Sequence, residues 1–485
     1  MNRFVSGAQV RQETDVCPAQ FHADVVIVGA GISGLSLAWR LQQISPTLRL
    51  AILEAADRPG GTAWTDYQDG FLIEHGANGF LANKTATLDL IRELGLENEI
   101  ITANPTARFR YLLHDGKLYL LPAGLWSLFR FPLLSWRAKW AILTERWRPG
   151  KSHAGDESVY DFIARRTNRE VAELFADLLV TGIYAGDPRQ LSTAACFPRI
   201  VEMVRQTGSV TAGMLKEARR RKTPTKEKRQ TSVHRSQLYS LRRGMRQLVE
   251  LLAQRLGAAL HLQSPVDRLV YLTNQTGHCW HVHSTTSIWC CRHLVLACPA
   301  YIQADLLRPL DQELAGLIAA IPYVPVAVIA LGYRADQLGL QIQGFGYLTA
   351  GRSTSRLLGS QWCSSIFPDR APTGHVLMRY MAGGARHPEM LELSDETLIA
   401  EAHGEASRVL AIRGAPVYSQ VIRWPHAIPQ YTLGHLDRLI ALRNLLGRWH
   451  GLSLAGNAYD GVSLNDCVER ANKLSAQIIH QHAVG

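Results

Sequence analysis

The chain of 485 residues lacks the marks of several large protein classes. No stretch approaches the roughly 20 consecutive apolar residues of a membrane-spanning helix. The N-terminal segment is polar and has no apolar core, so we expect residues 1–22 to form a disordered tail rather than a signal peptide. No nucleic-acid-binding module and no internal repeat is recognised, which argues against a nucleic-acid partner. The composition is that of a globular protein large enough for two or three domains.

Cysteine is scarce and irregularly placed. The eight cysteines include no C-x-x-C pair, so we expect free thiols in a reducing, cytoplasmic compartment. His281 and His283 lie near Cys290 and Cys291 in the sequence, which is a weak indication of zinc. Because no paired C-x-x-C accompanies them, we interpret both histidines as exposed strand residues and predict no metal site.

Acidic residues are outnumbered by lysine and arginine, 41 to 52, which gives the chain a net charge of +11. An excess of positive charge suits an anionic partner such as a carboxylated substrate or an acidic lipid surface. Residues 125–147 are dense in Trp, Phe, Arg and Lys, a composition typical of a segment in a membrane interface; the alternative is a helical subdomain with ordinary core aromatics. We interpret the basic run at 216–236 as a mobile loop, with attraction to acidic lipid as the alternative.

Glycine, in contrast, is placed with a pattern near the N-terminus. The run Val25–Val28 predicts a strand buried on both faces. In the turn that follows, Gly29 allows a tight bend, Gly31 admits a pyrophosphate, and Gly34 allows close packing of the next helix. That helix points its N-terminal N–H groups at the phosphates. Glu54 ends the second predicted strand, where its carboxylate can accept from both ribose hydroxyls.

Two further glycine segments indicate FAD rather than NAD. Arg58, Gly60 and Gly61 follow the ribose carboxylate, where a NAD dehydrogenase needs no second glycine loop. FAD lies extended, and its pyrophosphate and ribityl chain run past such a loop. Near the C-terminus, residues 454–463 form a strand that ends in glycines and leads into a helix predicted over 468–479. An element of this kind brings backbone N–H groups to the flavin.

Apolar spacing and turn residues give the rest of the organisation. Residues 108–121 predict a β-hairpin with Asp115-Gly116 at its turn. Residues 123–215 are mostly helical by spacing, and residues 321–445 alternate short strands with turns. A helix is predicted over 245–256 and a strand from Val266.

Three longer segments carry a resemblance: residues 181–192, residues 344–371 and residues 423–467. From about residue 23 to the C-terminus the chain resembles the FAD-dependent amine oxidase superfamily, and these segments resemble the signatures of its protoporphyrinogen oxidases. The resemblance implies oxidation of protoporphyrinogen IX to protoporphyrin IX in haem biosynthesis, with FAD as cofactor and dioxygen as acceptor. Hydride passes from the macrocycle to flavin N5, so the cofactor carries the chemistry and no side chain is assigned a catalytic role.

The implied fold is α/β, with a Rossmann-like FAD-binding domain of the glutathione-reductase or hydroxybenzoate-hydroxylase type, a mixed-sheet substrate domain and a helical membrane-associated domain. We place the discontinuous FAD domain at 23–106, 237–300 and 446–485, the helical domain at 107–215, and the substrate domain at 301–445. The family also implies peripheral membrane contact and allows a homodimer.

Site residues follow from the matched positions. A flat ring requires apolar walls, which the resemblance assigns to Phe345, Leu348 and Met381, with Gly182 and Ala185 keeping the opposite wall thin. Arg108 is assigned to a propionate, because an arginine pairs with carboxylate in a bidentate manner. The cofactor positions are Gly29, Ala30, Gly31, Ile32, Ser33, Gly34, Glu54, Ala55, Arg58, Gly60, Gly61, Thr62, Gly76, Ala77, Asn78, Gly79, Val266, Trp424, Gly456, Val462, Ser463 and Leu464.

Several alternatives stay open. Phe345 and Met381 would look the same as core residues, and Arg108 could be a surface arginine. His75-Gly76-Ala77-Asn78 replaces a more usual Gly-Pro pair, which allows a differently shaped flavin-facing loop. Gln361 is polar where the family has an apolar residue, so coproporphyrinogen III, with four carboxylates, is a second substrate candidate. Another superfamily flavoprotein, such as a carotenoid desaturase or an amine oxidase, is a further alternative, and so is a flavin- or haem-binding interaction protein that has lost turnover.

Overall fold

The computed structural model describes residues 19–147, 155–222, 237–274, 277–351 and 353–484. Its strands are β1 Phe21–Val28, β2 Leu50–Leu53, β3 Thr65–Gln68, β4 Phe71–Glu74, β5 Phe80–Leu81, β6 Ile100–Thr102, β7 Arg110–His114, β8 Lys117–Leu120, β9 Leu238–Leu241, β10 Leu260–His261, β11 Val266–Asn274, β12 Gly277–Ser284, β13 Ile288–Leu296, β14 Tyr323–Arg334, β15 Gly346–Thr349, β16 Leu357–Gln361, β17 His375–Gly383, β18 Tyr418–Pro429 and β19 Leu452–Leu454.

The helices are α1 Ile32–Ile44, α2 Ala86–Glu93, α3 Leu125–Arg130, α4 Trp136–Thr144, α5 Val159–Arg166, α6 Arg169–Tyr184, α7 Thr193–Cys196, α8 Pro198–Thr207, α9 Val210–Lys222, α10 Arg246–Leu256, α11 Ala300–Leu307, α12 Gln312–Ala319, α13 Cys363–Ile366, α14 Asp395–Leu410, α15 His435–Leu446 and α16 Leu464–Val484. The helix predicted over 245–256 is confirmed as α10, and the C-terminal helix extends beyond the predicted 468–479 at both ends.

The first large sheet contains the predicted nucleotide-binding unit. Its order is β10-β2-β1-β13-β12-β11, and β19 also pairs with β13. Strands β1, β2, β13 and β19 run parallel, while β11, β12 and β13 form an antiparallel meander. The run Val25–Val28 is fully buried as expected, because helices cover the sheet on both faces. The α/β fold is thus confirmed for this part of the chain.

Two apolar cores hold these layers. Val25 and Ile27 pack with α1, α10 and α16 in one core, while Val26 and Val28 pack with α11, α12 and α15 in the other. Apart from Ala300 and Leu446, helices α11, α12 and α15 fall in residues 301–445, which we assigned to the substrate domain. Their apolar faces pack on the first sheet.

The second large sheet has the order β18-β14-β17-β16-β15-β7-β8, and helix α14 packs on one face of it. The predicted hairpin is confirmed: Asp115 and Gly116 both have positive φ, as a two-residue hairpin turn requires. Strand β7 pairs in parallel with β15. The hairpin therefore belongs to this sheet and not to the helical domain to which we assigned it. Strands β14 and β18 have 12 residues each, so the expectation of short strands was wrong for both.

Helices α3 to α9 confirm that the described residues of the range 123–215 are mostly helical. Helix α9 continues to Lys222, so the basic run assigned to a loop begins as a helix; the remainder, residues 223–236, lies outside the described residues. Most of the predicted N-terminal tail, residues 1–18, also lies outside them, while Phe21 and His22 already belong to β1. Within the described residues, no helix is both long enough and apolar enough to cross a membrane.

Two expectations about cysteine and histidine were wrong. Cys279 and Cys290 are paired as a disulfide across β12 and β13 rather than being free thiols. His281 and His283 are buried, although we interpreted both as exposed. The alternating pattern of β12 did not show that both faces of this meander are covered.

Candidate cofactor and substrate site

Four parallel strands end at one edge of the first sheet. Register pairs Val28 with Leu53 and with Leu296, and Leu296 with Leu454. The residues that follow these strands, among them Gly29, Glu54 and the segment containing Gly456, therefore meet at this edge. Ligands of open α/β sheets bind outside the carboxyl ends of the strands, so the two distant glycine segments form a single candidate site.

The three glycines of the first turn have different environments. Gly29 has φ +106°, and a Cβ atom there would lie 2.8 Å from the nitrogen of Cys298. A Cβ on Gly34 would lie 2.0 Å from the carbonyl oxygen of Gly29, while one on Gly31 would meet no heavy atom within 4 Å in the described part of the chain. Gly29 and Gly34 thus allow tight packing of the protein itself, and Gly31 faces open space at the N-terminus of α1.

The second glycine loop lies against the first. The Gly60 N–H donates to the carbonyl of Ala30 at 2.8 Å, and Gly31 and Gly60 form an isolated parallel bridge. Both Gly60 and Gly61 have positive φ, which favours glycine. The Arg58 guanidinium lies 4.3 Å from the centre of the Trp64 ring, and burial lowers its pKa. The loop is therefore held in place beside the open face of Gly31.

Glu54 is fixed at the end of β2 by backbone donors. Its Oε2 accepts from the Ala30 N–H at 2.7 Å and its Oε1 from the Ala56 N–H at 3.0 Å. Its carbonyl accepts from the Ser264 N–H at 2.8 Å, which places the start of β11, and with it Val266, close to the carboxylate. Glu54 remains half-buried, and each carboxylate oxygen can accept a further bond from a ribose.

Residues 76–79 form a loop with unsatisfied polar groups. Asn78 is buried, and neither its Oδ1 nor its Nδ2 has a hydrogen-bond partner among the described residues. The carbonyl of Gly76 accepts from Arg379 Nη2 at 2.9 Å, and the Trp424 indole donates to the carbonyl of His75 at 3.0 Å. A buried amide without partners costs free energy. A polar heterocycle such as the flavin ring would supply partners, so this loop fits FAD.

Tyr431, which lies just after β18 of the second sheet, anchors the C-terminal segment. Tyr431 Oη donates to the carbonyl of Asn457 at 2.6 Å and accepts from the Gly461 N–H at 2.9 Å. Ser463 precedes α16 and bonds Asp466 through its hydroxyl. These contacts place Val462, Ser463 and Leu464 at the N-terminus of α16, next to the shared strand edge.

Four of the predicted substrate residues form two neighbouring pairs, and Phe345 lies apart from both pairs. A Cβ on Gly182 would lie 3.1 Å from Leu348, so these two predicted positions face each other. Met381 packs against the apolar cluster that contains Ala185. Phe345 packs against a different cluster, with Ile366 and Phe367 among its members. Phe345, Leu348 and Met381 are only half-buried, as residues lining a cavity would be.

Two arginines of the hairpin region differ in their contacts. Arg108 ends a short 3-10 turn, is exposed, and places its guanidinium 4.9 Å from the ring of its own neighbour Phe109. Arg110 begins β7 and places its guanidinium 4.7 Å from the ring of Phe345. Arg110 is exposed, as Arg108 is, although partial desolvation lowers the pKa of its guanidinium. Arg110, which the sequence reasoning did not single out, contacts the predicted wall directly.

A row of residues paired across neighbouring strands connects Arg110 to the loop of residues 76–79. Register pairs Arg110 with Gly346, Gly346 with Gln361, and Gln361 with Arg379; Arg379 in turn donates to Gly76. Gln361 Oε1 and Arg379 Nη1 are buried and have no partner among the described residues. Burial lowers the pKa of Arg379. Arg379 was missed, although a single charge within the apolar strand His375–Gly383 was a signal.

Comparison with known proteins agrees with this geometry. The profile of the flavin containing amine oxidoreductase family matches residues 32–479. Over 94% of the chain, protoporphyrinogen oxidases of Nicotiana tabacum (chloroplastic) and Homo sapiens are 32% and 33% identical, covering 85% and 98% of those proteins. Coproporphyrinogen III oxidase of Bacillus subtilis (strain 168) is 26% identical, over 92% of the chain and 96% of that protein.

Solved structures show the same fold. A crystal structure from Exiguobacterium sp. 255-15, of a protein provisionally named protoporphyrinogen oxidase, has a TM-score of 0.80 and 26% identity, covering 96% of the chain and 99% of that protein.

Proposed function

Because the chain belongs to the flavin containing amine oxidoreductase family, we propose that it is an FAD-dependent enzyme that oxidises protoporphyrinogen IX to protoporphyrin IX. The observation that carries the proposal is the row Arg110, Gly346, Gln361 and Arg379, which runs from the predicted substrate wall to the flavin loop. Neighbouring strands are 4.7–4.9 Å apart, so the row spans about 14 Å. That length suits a tetrapyrrole ring with one propionate extended towards Arg110.

FAD, when bound, supplies the acceptor for a hydride from the macrocycle. The chain would hold it through the Gly29–Gly34 turn and Gly60-Gly61 at the pyrophosphate, Glu54 at the ribose, and Asn78 near the ring. We propose dioxygen as the final acceptor. The protein contributes binding, orientation and exclusion of water rather than a reacting side chain.

The substrate residues have distinct roles in this proposal. Gly346 has φ +127°, and a Cβ there would lie 2.0 Å from the carbonyl of Ser360. Glycine at this position allows the close pairing of β15 with β16, which keeps Arg110 and Gln361 in one row. Phe345, Leu348 and Met381 offer apolar contact to the ring faces, while Gly182 allows close packing of α6 on Leu348. Arg110 pairs with a propionate and so fixes the orientation of the ring.

A matched pair of variants tests this assignment. We expect Arg110→Ala to raise KM for protoporphyrinogen about 10- to 150-fold, because a hydrogen bond to a charged group contributes about 1.5–3 kcal/mol. Arg108→Ala, two residues away and facing Phe109, serves as the control. Porphyrin fluorescence in air gives the rates, and absorbance at the flavin band gives the cofactor content. If Arg108→Ala raises KM and Arg110→Ala does not, the carboxylate contact belongs to Arg108, as the resemblance first implied.

A second substrate is favoured by one observation. Gln361 Oε1 is buried and has no hydrogen-bond partner among the described residues, and a relative at 26% identity is a coproporphyrinogen III oxidase. A tetracarboxylate would gain more from polar and cationic contacts than a dicarboxylate. Parallel assays with both porphyrinogens decide this: a higher kcat/KM for coproporphyrinogen III would move the proposal to that substrate. No fluorescence increase with either, in a chain that retains FAD, would reject both.

We also propose peripheral membrane contact through helices α3 and α4 and the 3-10 turn Glu145–Trp147 that follows them. Trp126, Trp136, Trp140 and Trp147 are 84%, 72%, 65% and 72% exposed, which is unusual for large aromatic side chains on a water-facing surface. Arg130 and Arg137 are exposed on the same helices. Tryptophan with arginine is the combination that anchors proteins at lipid headgroups, where a sparingly soluble porphyrinogen would also partition.

A further inference from the structure

A cluster of sulfur and imidazole groups lies on the β-meander of the first sheet, among residues that the proposed reaction does not use. Register places His22 of β1 opposite Cys290 of β13, and Cys290 opposite His281 of β12. Cys279 precedes His281 by two residues and so points to the same side of β12. Four groups able to bind a metal therefore lie in one short row across three strands.

The side chains of three of these residues converge. One ligand atom from each of Cys279, His281 and Cys290 lies within 4.8 Å of the others. His281 is 9% exposed, and its Nδ1 is buried with no partner among the described residues. An unpartnered buried nitrogen next to two sulfurs is a costly arrangement unless a ligand completes it.

The neighbouring candidates are excluded by their own contacts. His283 Nδ1 lies 3.1 Å from the guanidinium of Arg268, whose positive charge would also repel a cation. Cys291 pairs with Trp280 and is buried in the apolar core on the other side of the strand. The converging set is therefore two sulfurs and one imidazole.

The geometry points to a binding site for one thiophilic divalent ion, represented by zinc, with Cys279, His281 and Cys290 as ligands. His22 lies opposite Cys290 in register but outside the converging set, so its side chain would have to turn to become the fourth ligand. Two thiolates and two neutral imidazoles form a common tetrahedral set for zinc. Two thiolates also balance the charge of the ion, as a half-buried site requires. His22 is exposed, so an ion could reach the site from solvent.

The disulfide and the metal site exclude each other. Zinc binds thiolate, and the structure pairs the same two sulfurs with each other. Metal binding therefore requires the reduced chain, in which an ion would connect β1, β12 and β13. Such a connection should stabilise the folded state, because the ion does not find this ligand set in the unfolded chain.

The test uses the full chain with its flavin, reduced with a phosphine, stripped with a chelator and dialysed against zinc. We expect about one zinc per chain by mass spectrometry of the metal, and a rise in Tm on adding zinc. Cys279→Ser, Cys290→Ser and His281→Ala should each weaken zinc binding at least about tenfold, since even residues outside the first ligand shell affect affinity by that much. His22→Ala should weaken it as well.

Cys291→Ala and Cys196→Ala are the controls, because both remove a thiol outside the cluster; flavin content confirms that each variant is folded. The proposal is overturned if the reduced chain retains no zinc, or if Cys279→Ser and His281→Ala retain as much as the controls, which would mean adventitious binding elsewhere. If the two sulfurs neither bind zinc nor react with a thiol reagent after treatment with the reductant, the disulfide has resisted reduction and is a structural one.

Discussion

Gly31 and Gly34 should respond to the same substitution in different ways. A Cβ on Gly34 would lie 2.0 Å from the carbonyl oxygen of Gly29, closer than such atoms come, so α1 and β1 would have to separate by about 1 Å. Overpacking of this kind costs about 1–3 kcal/mol. Gly34→Ala should therefore lower the unfolding free energy of the flavin-free chain by about 3 kcal/mol.

Gly31→Ala should leave that free energy within about 1 kcal/mol of the wild type. Its backbone, with φ −70° and ψ 177°, is open to alanine, and the loss of glycine as N-cap is offset by the lower entropy of the unfolded chain. The added methyl would instead occupy the space in front of the N-terminus of α1. Losing one charge-assisted hydrogen bond to the pyrophosphate costs about 1.5–3 kcal/mol, or about 10- to 150-fold in Kd for FAD.

Urea unfolding of the flavin-free chains and titration with FAD, followed by flavin fluorescence, separate the two effects. Gly31→Ala binding FAD as tightly as the wild type would show that the pyrophosphate does not lie there. Gly34→Ala with unchanged stability would refute the close packing of α1 on the turn.

Three further outcomes are expected. The double variant Trp126→Ser/Trp140→Ser should bind anionic vesicles at least about tenfold more weakly in a flotation assay, whereas Tyr67→Ser, equally exposed but on β3, should bind as the wild type does. Gln361→Leu should raise the flavin-free unfolding free energy by about 1–3 kcal/mol, since it removes an unsatisfied buried oxygen, while lowering kcat/KM; reduced stability would contradict this. Burial lowers the pKa of His435 to about 4, so the unfolded state binds the proton first as pH falls from 6.5 towards 4. Between pH 7.5 and 5.5, the free energy of unfolding of His435→Phe should therefore fall by about 1 kcal/mol less than that of the wild type. Urea unfolding at the two pH values measures this.

The cofactor edge could be predicted from the sequence because its requirements are local. A strand buried on both faces, glycines where the backbone turns or comes close, and an acid at the next strand end each depend on a few adjacent residues. The structure gives Gly29 and Gly34 the predicted environments.

The substrate side depended on pairing between distant strands. Which of Arg108 and Arg110 contacts the predicted apolar wall depends on where β7 begins and how it pairs with β15. A shift of one residue in the strand register would turn every side chain of the strand to the other face. Gln361 and Arg379 become neighbours only through β16 and β17. Neither relation is present in the local pattern.

The same distinction holds for the meander. The sequence by itself determined a flavin-binding α/β protein, because hydrophobic periodicity and glycine spacing act over a few residues at a time. Only the tertiary structure decided that Cys290 lies next to Cys279, and that His281 is buried. Strand register sets which side chains meet, and the packing of layers sets which of them lose contact with water.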